Sequence, residues 1–323
     1  MLRNDLNHAA PGSAAVSSLK GSQITQLIDQ VSTIIVGKRE QVTLSVVCLL
    51  AGGHLLIEDI PGVGKTTLSH ALAKSLGLSY ARVQFTSDLL PSDLIGVNVY
   101  ERAREGFVFH PGPVFAQVLL ADEINRAGPR TQSALLEAME ERQVTVDGQT
   151  LPLPSPFFVI ATQNPSEQLG THPLPESQLD RFAMRLSLGY PDPASERALL
   201  SGEDKRAASA ALPAVMSPEA WQQWQARVDT VHVSDALLDY LQALITATRD
   251  GRWFALGMSP RAGLSLLRLA RARALLLGRT HVSPEDIQVL WGPAVAHRLI
   301  PLPQSGRSAA AQARALLEAT PVP

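Results

Sequence analysis

The chain of 323 residues carries a single cysteine, Cys48. One thiol closes no internal bridge, so a disulfide scaffold is excluded. Set in an apolar stretch, Cys48 reads as a buried, inert thiol in a reducing compartment, and a cytoplasmic location is expected. A basic excess is missing too: 28 Lys and Arg stand against 30 Asp and Glu, for a formal net charge of -2. Proteins that coat nucleic acid carry a positive surplus, so no nucleic-acid partner is expected. Long hydrophobic runs are absent. The longest uncharged apolar stretch, residues 42–57, is broken by Gly52-Gly53 and falls short of the ~20 residues that cross a bilayer. It reads as a helix followed by a buried strand, with no transmembrane segment. The opening stretch MLRNDLNHAAPGSAAVSS lacks the apolar centre of a signal peptide. There is no internal repeat and no low-complexity tract.

The remaining composition, 45% hydrophobic and 18% charged, is that of a globular chain long enough for two domains. Residues 1–20, rich in Ala, Ser, Asn and Gly, are expected to be poorly ordered. From about residue 21 to 190, strand and helix signals alternate, which predicts an α/β core with a parallel sheet between helices. HLLIED, ARVQF, AQVLLADE and PFFVIATQ are its strands. KTTLSHALAKSLG is a helix with Leu68, Ala71, Leu72 and Leu76 on one face and Gly77 as its stop. After GYPDP at 189–193 strand signals vanish. Ser217-Pro218, Ser259-Pro260 and Ser283-Pro284 each suit a helix start, serine as cap and proline at the first helical position. Leu237, Leu241, Leu244 and Ile245 form one apolar face; Leu264, Leu267 and Ala274 belong to another. A linker helix and a small all-α lid over 191–303 are expected, with 304–323 as a short exposed helix or disorder.

The stretch IEDIPGVGKTT, residues 57–67, follows a strand and opens a helix. In that context Pro61, Gly62, Val63, Gly64, Lys65, Thr66 and Thr67 read as a phosphate loop. Helix N-terminal amides point at phosphates, and glycine lets the backbone come close. Lys65 would reach the β- and γ-phosphates, and Thr66 would place its hydroxyl on Mg²⁺. Asp59 stands where the strict pattern has its first glycine. That position marks the loop's mouth, away from the phosphates, so Asp59→Gly is expected to be mild. Further along, QVLLADE is an apolar strand expected beside the phosphate-loop strand, delivering Asp122 to the Mg²⁺ shell and Glu123 to polarise an attacking water. Asn164, ending FFVIATQN, offers an amide to that water or to the γ-phosphate; a plain turn asparagine before Pro165 is the alternative. Two hairpins are expected. One spans 97–109 with a charged tip, and the other turns at Asp147-Gly148.

Taken together, PGVGKT, LLADEINRA, QSALLEAMEERQVTVDG, FFVIATQNP, GTHPLPESQLDRF and MSPRA resemble the AAA+ ATPases of the MoxR family. The resemblance is dense from about 36 to 190 and continues to about 302. It implies an αβα AAA+ core with a helical lid, ATP and Mg²⁺ as cofactors, and a ring, by family habit a hexamer. Asp59 is similar to the acidic residue of many members. By resemblance Val36 and Gly37 pack on adenine, Arg181 is an arginine finger reaching a neighbour's γ-phosphate, and Arg261 is the sensor 2 arginine of the lid. Bland roles, a helix cap for Arg181 and a surface first turn for Arg261, stand beside these. The hairpin at 97–109 resembles the helix 2 insertion. The implied function is chaperone-like remodelling or maturation of a partner complex, with cofactor or metal insertion as one form. The implied adaptor is a von Willebrand factor A domain protein. A nucleic-acid motor, which shares the insertion, and a slow nucleotide-gated scaffold are the alternatives.

Overall fold

The computed structural model describes residues 13–165, 171–200 and 205–322. Its first half comprises α1 (Ser13–Ile34), α2 (Arg39–Leu50), β1 (His54–Glu58), α3 (Lys65–Ser75), β2 (Tyr80–Gln84), α4 (Pro91–Ile95), β3 (Gly96–Glu101), β4 (Gly106–Pro111) and β5 (Val118–Asp122). Then come α5 (Pro129–Glu141), β6 (Gln143–Val146), β7 (Gln149–Pro152), β8 (Phe158–Gln163), α6 (Glu176–Leu179), β9 (Phe182–Leu186), α7 (Pro193–Leu200) and α8 (Lys205–Ala210). The remainder is α9 (Pro218–Val228), α10 (Asp235–Arg249), β10 (Phe254–Leu256), α11 (Pro260–Leu276), α12 (Pro284–Val295), β11 (Ile300–Pro301) and α13 (Ala309–Ala319). Among the described residues no helix is long and apolar enough to cross a membrane.

Five strands form one parallel sheet in the order β2-β5-β8-β1-β9. A parallel sheet is covered on both faces, so its strands read as unbroken apolar runs. Alternate side chains then go to opposite sides. Leu55, Ile57, Leu120 and Ile160 pack with α1, α2, α3 and the lid helices. Leu56, Leu119, Ala121, Val159 and Ala161 pack on the other face, with Leu135 and Met139 of α5. The expected adjacency of β5 and β1 is wrong: β8 lies between them and pairs with both. The two strands are equally apolar, so pattern alone does not order them. β8 carries Thr162, whose hydroxyl serves Asp122 at the end of β5 and Glu123 just after it, and the Gln163 carbonyl, which accepts the N–H of Asp59, the residue after β1. β9, for which no separate strand was read, closes the sheet.

Both hairpins form as expected, β3 with β4 and β6 with β7, the latter turning at Asp147 and Gly148 with positive φ. In the helical half, Ser217, Ser259 and Ser283 cap α9, α11 and α12. Four expectations need correction. Residues 13–20 are part of α1, while 1–12 lie outside the described residues. Strands do return after 189, as the short antiparallel pair β10–β11. Leu264 is exposed; α11 buries Ala262, Leu266, Leu269 and Ala270 instead. The segment after 303 does form a short helix, one of its two expected forms, but not an exposed one: α13 buries Ala313 and Leu316 and its Ala313 carbonyl accepts the Trp291 indole N–H at 2.8 Å.

His54, the first residue of β1, is buried. Its Nδ1 accepts the Val159 N–H at 2.9 Å and its Nε2 lies 3.2 Å from the Met139 carbonyl, which fixes a neutral Nε2–H tautomer. Burial first, and then the nearby Arg142 charge, pull its pKa from 6.5 to about 4. Burial does the same to His297, down to about 3. Between pH 6.5 and about 4 the unfolded chain therefore binds protons that the folded chain refuses, and stability falls as pH falls through that window. Denaturant melts at pH 6.5, 5.5 and 5.0 should show this decline. His54→Gln should make it shallower by about 1.4 kcal/mol per pH unit. An unchanged slope would show that His54 is not held neutral.

Candidate functional site

The strand ends of β2, β5, β8 and β1 meet at one edge of the sheet around a cavity of about 380 Å³. Pro61, Gly62, Gly64, Lys65, Thr66 and Thr67 form one wall; Asp122, Glu123 and Asn164 form the other. Gly62 and Gly64 hold φ of 84° and 95°, a region that L side chains enter at a cost. Open space lies where a Gly62 Cβ would stand, so the loop is a backbone-lined cradle opening on the first amides of α3. The Lys65 ammonium lies across it, donating to the carbonyls of Asp59 at 2.5 Å and Ile60 at 3.2 Å. Val63 turns inward against the core. Val36 and Gly37 do not line the cavity. Gly37, at φ 74°, lies against Asp192 and Ser195 at the start of α7, while Ile35 reaches toward Gly64.

Asp122 is buried. Its Oδ1 accepts the Thr162 hydroxyl at 2.6 Å, and its Oδ2 accepts Arg82 through Nε at 3.1 Å and Nη2 at 2.7 Å. Glu123 follows in the left-handed region at φ 57°. Such strain collects at functional positions; here the Glu123 N–H donating to Thr162 Oγ1 at 2.9 Å holds it. The Glu123 carboxylate accepts Gln84 at 2.8 Å and Arg126 at 2.9 Å. Sequence reading missed Arg82, Gln84, Thr162 and Arg126. Strand alternation puts Arg82 and Gln84 on one face of β2, but only the register, Arg82 opposite Leu120 and Gln84 opposite Asp122, brings them to the acids. The resulting edge, with amides, an ammonium and two carboxylates, suits a polyphosphate anion held together with a divalent cation.

Asp59 departs from expectation. It is no loose residue at the loop's mouth but is 7% exposed. Its Oδ2 accepts the N–H groups of Leu188 and Gly189, both at 2.6 Å, and the Ser187 hydroxyl at 3.0 Å; Oδ1 accepts the Ile60 N–H at 2.9 Å. Burial alone would push this carboxyl up. The donors, Gly189 foremost, outweigh it and hold the pKa below the ordinary range. Replacement by glycine would take the acceptor from four donors, so a mild effect no longer follows.

Arg181 and Arg261 lie elsewhere. They line a cavity of about 620 Å³ at the opposite edge of the sheet, beside Gly52, Gly53 and His54 at the start of β1. β1 alone, at about 3.3 Å per residue, puts some 13 Å between the two edges. Glu140 of α5 joins the pair: Arg181 Nη2 meets Glu140 Oε2 at 2.9 Å, and Arg261 Nη2 meets Glu140 Oε1. The Arg261 hydrogen bond outweighs desolvation and, with both arginine charges, holds the Glu140 carboxyl below its ordinary range. Neighbouring Asp180 accepts the Ser259 hydroxyl at 2.9 Å and pairs with buried Arg298 at 3.1 Å, tying the α6–β9 turn to the lid. Among the described residues, Arg181 Nε and Arg298 Nη1 are buried without an acceptor. Arg261, exposed in the first turn of α11, and Arg181, just after α6, are both tied to α5 through Glu140.

Comparison with known proteins bears on this arrangement. Residues 54–184 match the model of the ATPase family associated with various cellular activities (AAA), and residues 246–319 match the AAA lid domain. The chain is 46% identical over 299 residues to the uncharacterised Bacillus subtilis protein YeaC, covering 92% of this chain and 93% of that one. It is 40% identical over 303 residues to the chaperone MoxR1 of Mycobacterium tuberculosis, covering 91% and 80%. A crystal structure of a Cytophaga hutchinsonii protein assigned as an ATPase superposes with a TM-score of 0.87 at 36% identity, covering 95% of this chain and 97% of that one. An AAA core, an AAA lid and MoxR relatives aligned along nearly the whole chain lead to one conclusion: this chain belongs to the MoxR family of AAA+ ATPases.

Proposed function

We propose that the protein hydrolyses ATP with Mg²⁺ in a pocket completed by a second subunit, and that the cycle drives remodelling or maturation of a partner protein. The observation that carries this reading is the separation of Lys65, at one sheet edge, from Arg181 and Arg261, at the other. An arginine that cannot reach its own pocket serves a neighbour's. A head-to-tail contact of that kind makes a ring where its rotation closes, and a ring is the form the family resemblance adds. The solvent-reachable parts of the Arg181 and Arg261 guanidiniums supply donors for a neighbour's phosphate. Six subunits, a von Willebrand factor A domain adaptor and a cytoplasmic site of action are what the family resemblance adds.

The residues present fit the cofactor. The open cradle at Gly62 and the helix N-terminus at Lys65 suit phosphate oxygens, while Thr66 and Asp122, both lining the cavity, would be the oxygen ligands for Mg²⁺. When bound, Mg²⁺ supplies neutralisation of phosphate charge. Arg82 neutralises Asp122 in this state, so guanidinium and cation compete for one carboxylate. Glu123 serves as general base once it turns from Gln84, and Asn164 orients the water. Phe107, 75% exposed, and Tyr100 stand edge to face on the β3–β4 hairpin. An aromatic face of this kind suits a protein client better than a phosphate backbone.

Lys65→Ala should abolish most ATP binding in calorimetric titrations. Glu123→Gln should bind ATP and turn it over about 10²–10⁴ times more slowly; wild-type turnover in this variant would remove Glu123 from the role of base.

Arg181→Ala should fold and bind ATP normally, yet lose about 10³–10⁵ in rate. Mixed with Lys65→Ala subunits it should regain activity, since some interfaces then pair an intact pocket with an intact arginine. Mixtures that never exceed either parent, despite proven subunit exchange, would refute a shared site.

A further inference from the structure

Asp59 occupies the residue between β1 and the phosphate loop, and it makes contact in two directions. Toward the loop, its main-chain carbonyl accepts the Lys65 ammonium at 2.5 Å. Toward the rest of the protein, its carboxylate grips Ser187, Leu188 and Gly189, the residues that follow β9. β9 is the last strand of the main sheet, so the connection to every lid helix leaves the core through this grip. Gly189 holds a φ of 62°, a conformation open to glycine and strained for other residues. One residue on, the Tyr190 carbonyl accepts the Lys38 ammonium at 2.6 Å, and Gly37 packs on Asp192 and Ser195 beyond it. The exit is thus clasped from two sides. The clasp that touches the phosphate loop is the one built on Asp59.

We propose that Asp59 is a positioning residue that couples occupancy of the phosphate loop to the angle between core and lid. The idea rests on the ATPase reading above. Phosphates that draw the Lys65 ammonium toward themselves take a charged donor from the Asp59 carbonyl. The peptide joining Asp59 to Ile60 can then turn. The carboxylate, whose Oδ2 accepts the Leu188 and Gly189 amides and the Ser187 hydroxyl, carries Leu188 and Gly189 with it, and Gly189 takes up the rotation. A glycine at position 59 would keep a working phosphate loop but have no grip on the exit. This accounts for an acid where the strict loop pattern has glycine.

The experiment is energy transfer between dyes on cysteines introduced at exposed Glu137 in the core and exposed Arg314 in the lid, with and without ATP and Mg²⁺. Buried Cys48, its thiol pushed up to about 12 by desolvation, leaves labelling to the new sites. The parent should change its transfer efficiency on ATP addition. Asp59→Gly should keep its KM within about threefold, lose most of the change, and lose about tenfold in kcat. Asp59→Asn retains a carbonyl oxygen for the two amides and should restore most of the response. Ser187→Ala leaves the phosphate loop untouched and should weaken the response at unchanged ATP affinity; it carries the test if Asp59→Gly does not fold. Full response and kcat in Asp59→Gly, or in Ser187→Ala when that variant stands alone, would overturn the coupling. So would loss of ATP binding in step with the response. A parent that binds no ATP would overturn both this proposal and the ATPase reading, whereas a parent that turns over ATP beside variants with an intact response overturns the coupling alone.

Discussion

A parallel sheet ends all of its strands at one edge, and the chemistry of this protein depends on what the sequence attaches to each edge. At the C-terminal ends of β1, β5 and β8 stand Lys65, Asp122 with Glu123, and Asn164. The N-terminal edge faces Arg181 and Arg261. Burial of both sheet faces makes this division rigid, because a one-residue slip in any strand would trade its two sets of core side chains. The acids are therefore placed by Leu119 and Leu120 packing on opposite faces as much as by their own hydrogen bonds.

Much of the site was legible in the sequence because each element was local. A strand, a glycine turn and a helix follow one another from His54 to Ser75, and an apolar run leads directly into Asp122-Glu123. What required coordinates was non-local. The insertion of β8 between β5 and β1 depends on how two equally apolar strands pack. Arg82 and Gln84 meet the acids only through register. Asp59 looked tolerant because its partners, Ser187 to Gly189, lie about 130 positions away along the chain. Leu264 and Leu266 differ by two positions in an Ala- and Leu-rich helix, and only the neighbours of α11 decide which is buried. α13, short and rich in alanine, signals little until Trp291 and Leu316 give it a place.

The core and lid are joined by buried polar contacts as well as by apolar packing. Arg298 is drawn down to about 10 by burial, against the pull of Asp180, and stays charged at neutral pH. Such pairs lend geometric definition more than net stability, since desolvation offsets much of the attraction. Here they fix Arg181, Arg261 and the lid helix α11 relative to one another through Glu140 and Asp180. The face that we propose for a neighbouring subunit is thus assembled from both core and lid, and a change in their angle would alter that face directly.

The central claim is that the hydrolytic site is divided between subunits. ATP turnover per chain, measured as a function of protein concentration with the assembly state followed in parallel by mass photometry, tests it most directly. Turnover should fall with the loss of oligomers on dilution and approach zero for the isolated chain. A turnover per chain that stays constant down to the monomer would contradict the account.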